Sequence, residues 1–116
     1  MSDTKTPPVS VEASGNAVIV RVNLKLFDDA NLKVMHQLID AEATKPGVML
    51  VVLDMSHVQI VPSLGLGALV QLSNKCRARQ QRLKLAAVQP QVRQTMSITK
   101  LDRILDLVDS VESATE

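Results

Sequence analysis

Residues Val48–Leu53 form an unbroken run of six apolar residues, VMLVVL, that ends at Asp54. A strand with one wet face alternates apolar and polar side chains, so a run without a polar residue needs cover on both faces. It is far short of the roughly 20 residues that cross a bilayer. The run therefore reads as a central strand of a largely parallel sheet, with helices packed over it.

The flanking segments supply those layers. Two short strands are expected at Val9–Ala13 and Ala17–Asn23, joined by a tight turn at Gly15-Asn16. A loop, Leu24–Asp29, leads to a helix from about Asn31 to Thr44, where Leu32, Met35, Leu38 and Ile39 recur at helical spacing. Lys45-Pro46-Gly47 stops it. Beyond the central strand, Val58–Val61 is extended and a helix runs from Ser63 to about Arg79. A strand at Leu83–Val88, a helix at Pro90–Ile98 opened by its proline, and a strand at Ile104–Val108 follow. Asp109 and Glu112 resemble a capping box that opens a last helix. The order ββαβαβαβα predicts one α/β domain over 9–116, with a mixed, mostly parallel sheet of about five strands and about four helices. Residues 1–8, polar and ending in Pro7-Pro8, read as a disordered tail.

Composition narrows the function. Thirteen Lys and Arg against twelve Asp and Glu leave a net charge of +1, so no strong field draws the chain to nucleic acid or an anionic membrane. One Phe, with no Tyr or Trp, removes the aromatic platforms on which single strands stack. Cys76 is the sole cysteine, which excludes an internal disulfide, and it falls on an inward helix face as a small core residue. His36 and His57 stand apart without further ligands at metal spacing, so no metal and no cofactor is expected. The polar N-terminus MSDTKTPPVS lacks the apolar stretch of a signal peptide, and a cytoplasmic protein without membrane insertion is expected.

The informative segment is Asp54–Lys75, DMSHVQIVPSLGLGALVQLSNK. Ser63 follows Pro62 at a helix start, where its hydroxyl could cap free N–H groups. At 100° per residue, Leu66, Leu69, Val70, Ser73 and Cys76 face the sheet. Leu64, Gly67, Ala68, Gln71, Lys75 and Ala78 share the outer side. Gly65 and Gly67 each cost roughly 1 kcal/mol relative to Ala in a helix interior. Close packing, or close approach of a partner, would offset that cost. The basic residues Lys75, Arg77, Arg79, Arg82 and Lys84 read as a solvated surface beside a helix C-terminus.

The run VVLDMS followed by PSLGLGAL resembles the STAS domain of bacterial anti-sigma-factor antagonists, whose usual pattern is an apolar strand ending in D-[LM]-S and then D-S-[ST]-G-L-[GA]-x-L. Phe27-Asp28 with Ala30-Asn31 resembles the acidic loop of that family. The resemblance runs over about Val9–Glu116. It implies a partner switch in which an anti-sigma-factor serine kinase phosphorylates Ser63, the unphosphorylated protein docks on that kinase, and a serine phosphatase resets it. Docking would involve Leu64, Gly65, Gly67, Ala68 and Gln71, with Asp28 and Asp54 as an acidic rim; turn and capping duty explains either aspartate equally well. Pro62 and Leu64 depart from the family pattern, and Leu64 makes the patch more apolar. The same family includes docking subunits of lipid-transport ABC systems and of signalling scaffolds, a second implied role. An enzyme is not indicated: PSLGLG is not G-x-S-x-G, and no phosphate loop or dinucleotide fingerprint is present.

Overall fold

The computed structural model describes residues 9–27 and 29–115. Strands β1 (Val9–Ser14) and β2 (Ala17–Val22) form the hairpin; helix α1 (Asp29–Ala43) leads to β3 (Leu50–Asp54). Helix α2 (Ser63–Ala78), β4 (Arg82–Ala86), α3 (Pro90–Ile98), a 3-10 turn at Leu101–Arg103, β5 (Asp106–Val108) and α4 (Val111–Thr115) complete the chain. The five strands lie in sequence order, with β1 antiparallel to β2 and all other pairs parallel. The expected α/β class and mixed sheet are what the structure contains. The expected tail at residues 1–8 lies outside the described residues.

Strand β3 is the middle of the sheet and is covered on both sides. Val51 and Leu53 join Val18, Val20 and Leu85 in the larger core, together with Met35, Ile39, Leu69 and Leu72 from α1 and α2. Val52 turns the other way and meets Ile19, Ala86 and Ala114 beneath α4. Crossovers between neighbouring parallel strands are right-handed, so successive ones running in one direction stack their helices on one face. That places α1 and α2 side by side and parallel.

The opposite face carries the charges of the sheet. Arg21 donates to Glu12 Oε1 at 3.0 Å and to Asp54 Oδ2 at 3.1 Å, and stands beside Asp54 in the β2–β3 register. Lys84 Nζ donates to the Ala114 carbonyl at 3.2 Å and so secures the end of α4. The cap of α4 differs from expectation. Ser110 Oγ accepts from Ser113 N–H at 3.0 Å and Ser113 Oγ accepts from Ser110 N–H at 3.2 Å, so the reciprocal cap falls one residue later than Asp109–Glu112.

Phe27, the single aromatic, is buried beneath the start of α2. Its N–H donates to the Ile60 carbonyl at 3.1 Å, and Lys25 O accepts from Gln59 and Ile60, which stitches the β2–α1 loop to the β3–α2 loop. A Cβ at Gly65 would lie 3.0 Å from Val61 Cγ1 and 3.1 Å from the Phe27 ring, whereas a Cβ at Gly67 would meet nothing within 4 Å. The two glycines thus have different reasons to exist. Gly65→Ala is expected to lower stability by about 1 kcal/mol through overpacking that outweighs its gain in helix propensity. Gly67→Ala is expected to raise stability by about 0.5–1 kcal/mol. Urea unfolding of both variants checks this; equal effects of the two would refute the packing account.

Candidate functional site

Helices α1 and α2 enclose a groove of about 360 Å³. Leu32, Lys33 and His36 line it from α1; Ser63, Leu64, Gly67, Ala68 and Gln71 line it from α2. The lining is largely apolar at the α2 start because Leu32, Leu64, Gly67 and Ala68 lie there. Leu64 is 58% exposed, as is Ile60, which pairs with exposed Leu26 across an isolated bridge just before α2. An apolar rim therefore surrounds Ser63.

Ser63 is exposed and occupies the first helical position, so it is not the cap. Pro62 takes the cap position with extended backbone (φ −66°, ψ 168°) and no side chain able to accept a bond. The reason is local. Proline's fixed φ suits the residue before the helix as well as the first turn, and with Pro62 there the helix starts one residue earlier than it would behind a capping Ser63. The Ser63 hydroxyl has no hydrogen-bond partner among the described residues, and the first turn of α2 carries no acidic residue. The positive end of a 16-residue helix thus stands beside a free hydroxyl.

The other expected site residues divide. Leu64, Gly67 and Gln71 are exposed on the groove, and Ala68 forms its floor, buried rather than on the outer side. Gly65 is buried against Phe27 and Val61, so it cannot itself present a contact surface. Leu72, absent from the expected inner face, is fully buried, while Val70 is only half-buried. Asp54 lies on the opposite side of the sheet. It pairs with Arg21 and accepts from Ser56 N–H at 3.1 Å, which is turn duty and removes it from the Ser63 rim. Asp28 lies outside the described residues.

His36 is the groove residue that sequence reasoning passed over. It falls one turn from Leu32 on α1, a periodicity signal that could have marked it as facing α2. Neither ring nitrogen has a hydrogen-bond partner among the described residues, and both are shielded from solvent. Leaving a buried donor unpaired costs about 1–3 kcal/mol. Burial, and then the nearby Lys75, push the imidazole below its ordinary value, while Asp40 opposes them. Beyond His36 the α1–α2 seam closes on charge: Asp40 accepts from Arg79 at 2.8 Å and from Lys75 at 3.2 Å. These bonds, that to Arg79 foremost, hold the Asp40 carboxyl below the usual carboxylate range. Cys76 is buried and its thiol is pushed up by that burial. Among the described residues no group of three His, Cys, Asp or Glu could hold a metal ion, and no helix is long and apolar enough to cross a membrane.

The sequence matches the STAS domain family over residues 8–114. The chain belongs to the STAS-domain family. No curated protein matches it in sequence. This STAS domain is similar in fold to an anti-sigma factor antagonist from Mycobacterium paratuberculosis, with a TM-score of 0.79 and 23% identity over 99% of this chain and 96% of that one. It is similar also to the anti-sigma factor antagonist SpoIIAA in its unphosphorylated form, with a TM-score of 0.74 and 16% identity over 90% and 91% of the two chains. The murine Solute Carrier 26 family member A9 anion transporter contains the same fold. There the TM-score is 0.76 at 21% identity, over 90% of this chain and 18% of that one.

The His36 geometry has a pH consequence. A histidine whose pKa is lower folded than unfolded contributes stability fully above about pH 6.5 and loses it as pH falls from there through the folded value. Stability is therefore expected to drop between pH 7.5 and 5.5, and His36→Asn is expected to flatten that drop. Urea midpoints of wild type and variant at the two pH values check it; parallel losses would refute it.

Proposed function

We propose that this STAS domain is an anti-sigma-factor antagonist that acts by binding, docking through the α1–α2 groove on an anti-sigma-factor serine kinase. The observation that carries the reading is Ser63: an exposed hydroxyl without a hydrogen-bond partner among the described residues, on the rim of a largely apolar groove, at a helix start free of acidic residues. Leu64, Gly67 and Gln71 form the contact surface, with Ala68 beneath and Gly65 holding the helix down. The likeness to SpoIIAA and the Mycobacterium paratuberculosis antagonist supports the same role.

In this switch Ser63 Oγ attacks the γ-phosphorus of ATP held by the kinase. The P–O bond to ADP breaks and the hydroxyl proton passes to a kinase base. The product carries about −1.5 to −2 charges at the centre of an apolar contact, which repels and desolvates poorly. A phosphatase restores the hydroxyl by hydrolysis, releasing inorganic phosphate. The likeness to a segment of a murine transporter favours one other reading, a constitutive docking module of a transport or scaffold assembly.

Peptide mass spectrometry of the protein from its own host separates the two: phosphate on Ser63 supports the switch, and its absence across growth and stress conditions supports the constitutive module. Binding to the kinase is expected to survive Ser63→Ala. It is expected to weaken at least about tenfold, roughly 1.4 kcal/mol, in Ser63→Asp. The fold should be unaffected, with stability changed by less than about 0.5 kcal/mol. Equal affinity of Ser63→Asp and wild type, measured by titration calorimetry, would sink the switch.

A further inference from the structure

We propose that His36 is a proton-operated latch on the α1–α2 groove: when its imidazole is protonated, the ring leaves the groove wall and replaces Lys75 on Asp40. The inference goes beyond the docking role and holds whether or not Ser63 is modified. Three observations meet. His36 lines the groove from α1, and both of its ring nitrogens are buried without a hydrogen-bond partner. Asp40 follows His36 by four residues on α1, so the two side chains are neighbours on one helix face. That carboxylate is held from α2, by Arg79 at 2.8 Å and by Lys75 at 3.2 Å.

Charge and position of the ring are therefore coupled. A neutral imidazole leaves one N–H unpaired in this pocket; an imidazolium would leave two and a full charge. A buried charge without partners costs far more than a buried neutral group, so the charged ring cannot stay where the neutral ring sits. The surrounding charges decide where it goes. Lys75 on α2 repels an imidazolium, and Asp40 attracts it. Lys33, three residues earlier on α1, and Arg79 on α2 add positive charge on either side. Glu12 on β1 and Arg21 on β2, the strands that α1 packs against, pair with each other on the opposite face of the sheet. Asp40 is thus the anion that the ring can reach. Of its two partners Lys75 is the one that yields. Its bond is the longer, and its side chain is 45% exposed against 25% for Arg79, so water solvates it readily. The exchange turns a tie between two helices into a tie within α1. Arg79 still holds the end of α2, while the groove lengthens beyond Gln71 into the space that the ring vacates.

The test follows the unmodified full chain by carbon NMR from pH 7.5 to 5. It reads the His36 ring, the Asp40 carboxyl, the Lys75 Cε and the methyls of Leu32, Leu64 and Ala68. All are expected to move in one step, with a shared midpoint below the ordinary histidine value of about 6.5. The methyl of Met96, buried on α3, reports on the core and is expected to stay. In His36→Gln the Asp40, Lys75 and methyl steps are expected to vanish. In Asp40→Asn the His36 midpoint is expected to fall by about one unit or more, as loss of an opposite charge within about 4–6 Å does. A His36 titration that leaves Asp40 and Lys75 unmoved overturns the latch, because the ring is then charged without changing partners. A step shared with Met96 overturns it too, because the core then gives way as a whole. So does a His36 that stays neutral down to pH 5, or a step that persists in His36→Gln. The wild-type titration decides the matter by itself if either variant fails to fold.

Discussion

The close approach of Gly65 to Phe27 is the contact on which the groove end of the molecule depends. Three segments meet there: the β2–α1 loop that carries Phe27, the β3–α2 loop that carries Val61, and the first turn of α2. Phe27 is fully buried and tied by its N–H to Ile60, so it cannot yield to a larger residue at position 65 without opening the loop pair. With no other aromatic in the chain, no second bulky side chain shares this work. The height at which α2 settles on Phe27 decides where Ser63 and Leu64 emerge, and how wide the groove beside α1 stands. A buried residue thus governs the surface that α2 offers beside the groove.

The same seam between α1 and α2 is built differently at its two ends. At the far end Asp40 gathers Arg79 and Lys75. Half-exposed ion pairs of this kind contribute little stability each, of the order of 0–1 kcal/mol. Their position matters more than their strength, because they close the helices where α2 ends. At the near end, leucines, Gly67 and Ala68 leave the groove open. The sheet follows the same division. Arg21 bridges Glu12 and Asp54 on the face opposite α1 and α2, so the conspicuous aspartate at the end of β3 is consumed in holding three strands together.

Much of this was legible in the sequence, for identifiable reasons. The last four residues of the VMLVVL run, Leu50–Leu53, lie in β3, the central strand with cores on both sides, while Val48 and Met49 precede the strand and Met49 is 56% exposed. Pro90 opens α3 at the expected residue because its ring fixes the helical φ. The errors share one cause, an assumption that a side chain acts on its nearest neighbours. Ser63 looked like a cap, but Pro62 occupies that position with its backbone. Asp54 looked like part of the serine rim because it lies nine residues before it, yet strand alternation turns it to the other face. Gly65, expected in the docking patch from the family resemblance, is buried because Phe27, 38 residues away in the chain, packs against it. His36 was passed over because its importance comes from what α2 places opposite it.

An uncapped helix start is a mild liability in an unmodified protein, because several N–H groups of the first turn lack partners within the helix. Under the proposed switch that liability becomes useful. A negative group near a helix N-terminus gains typically 0.3–1 kcal/mol, up to about 2 kcal/mol when partly buried. The modification is thus neutral or favourable for the domain itself. The same charge opposes docking, where an apolar partner surface would have to cover it. An acidic residue in the first turn would have filled the electrostatic role in advance and reduced the difference between the two states. The absence of one, together with the free Ser63 hydroxyl, leaves the contrast between modified and unmodified forms as large as this helix end permits.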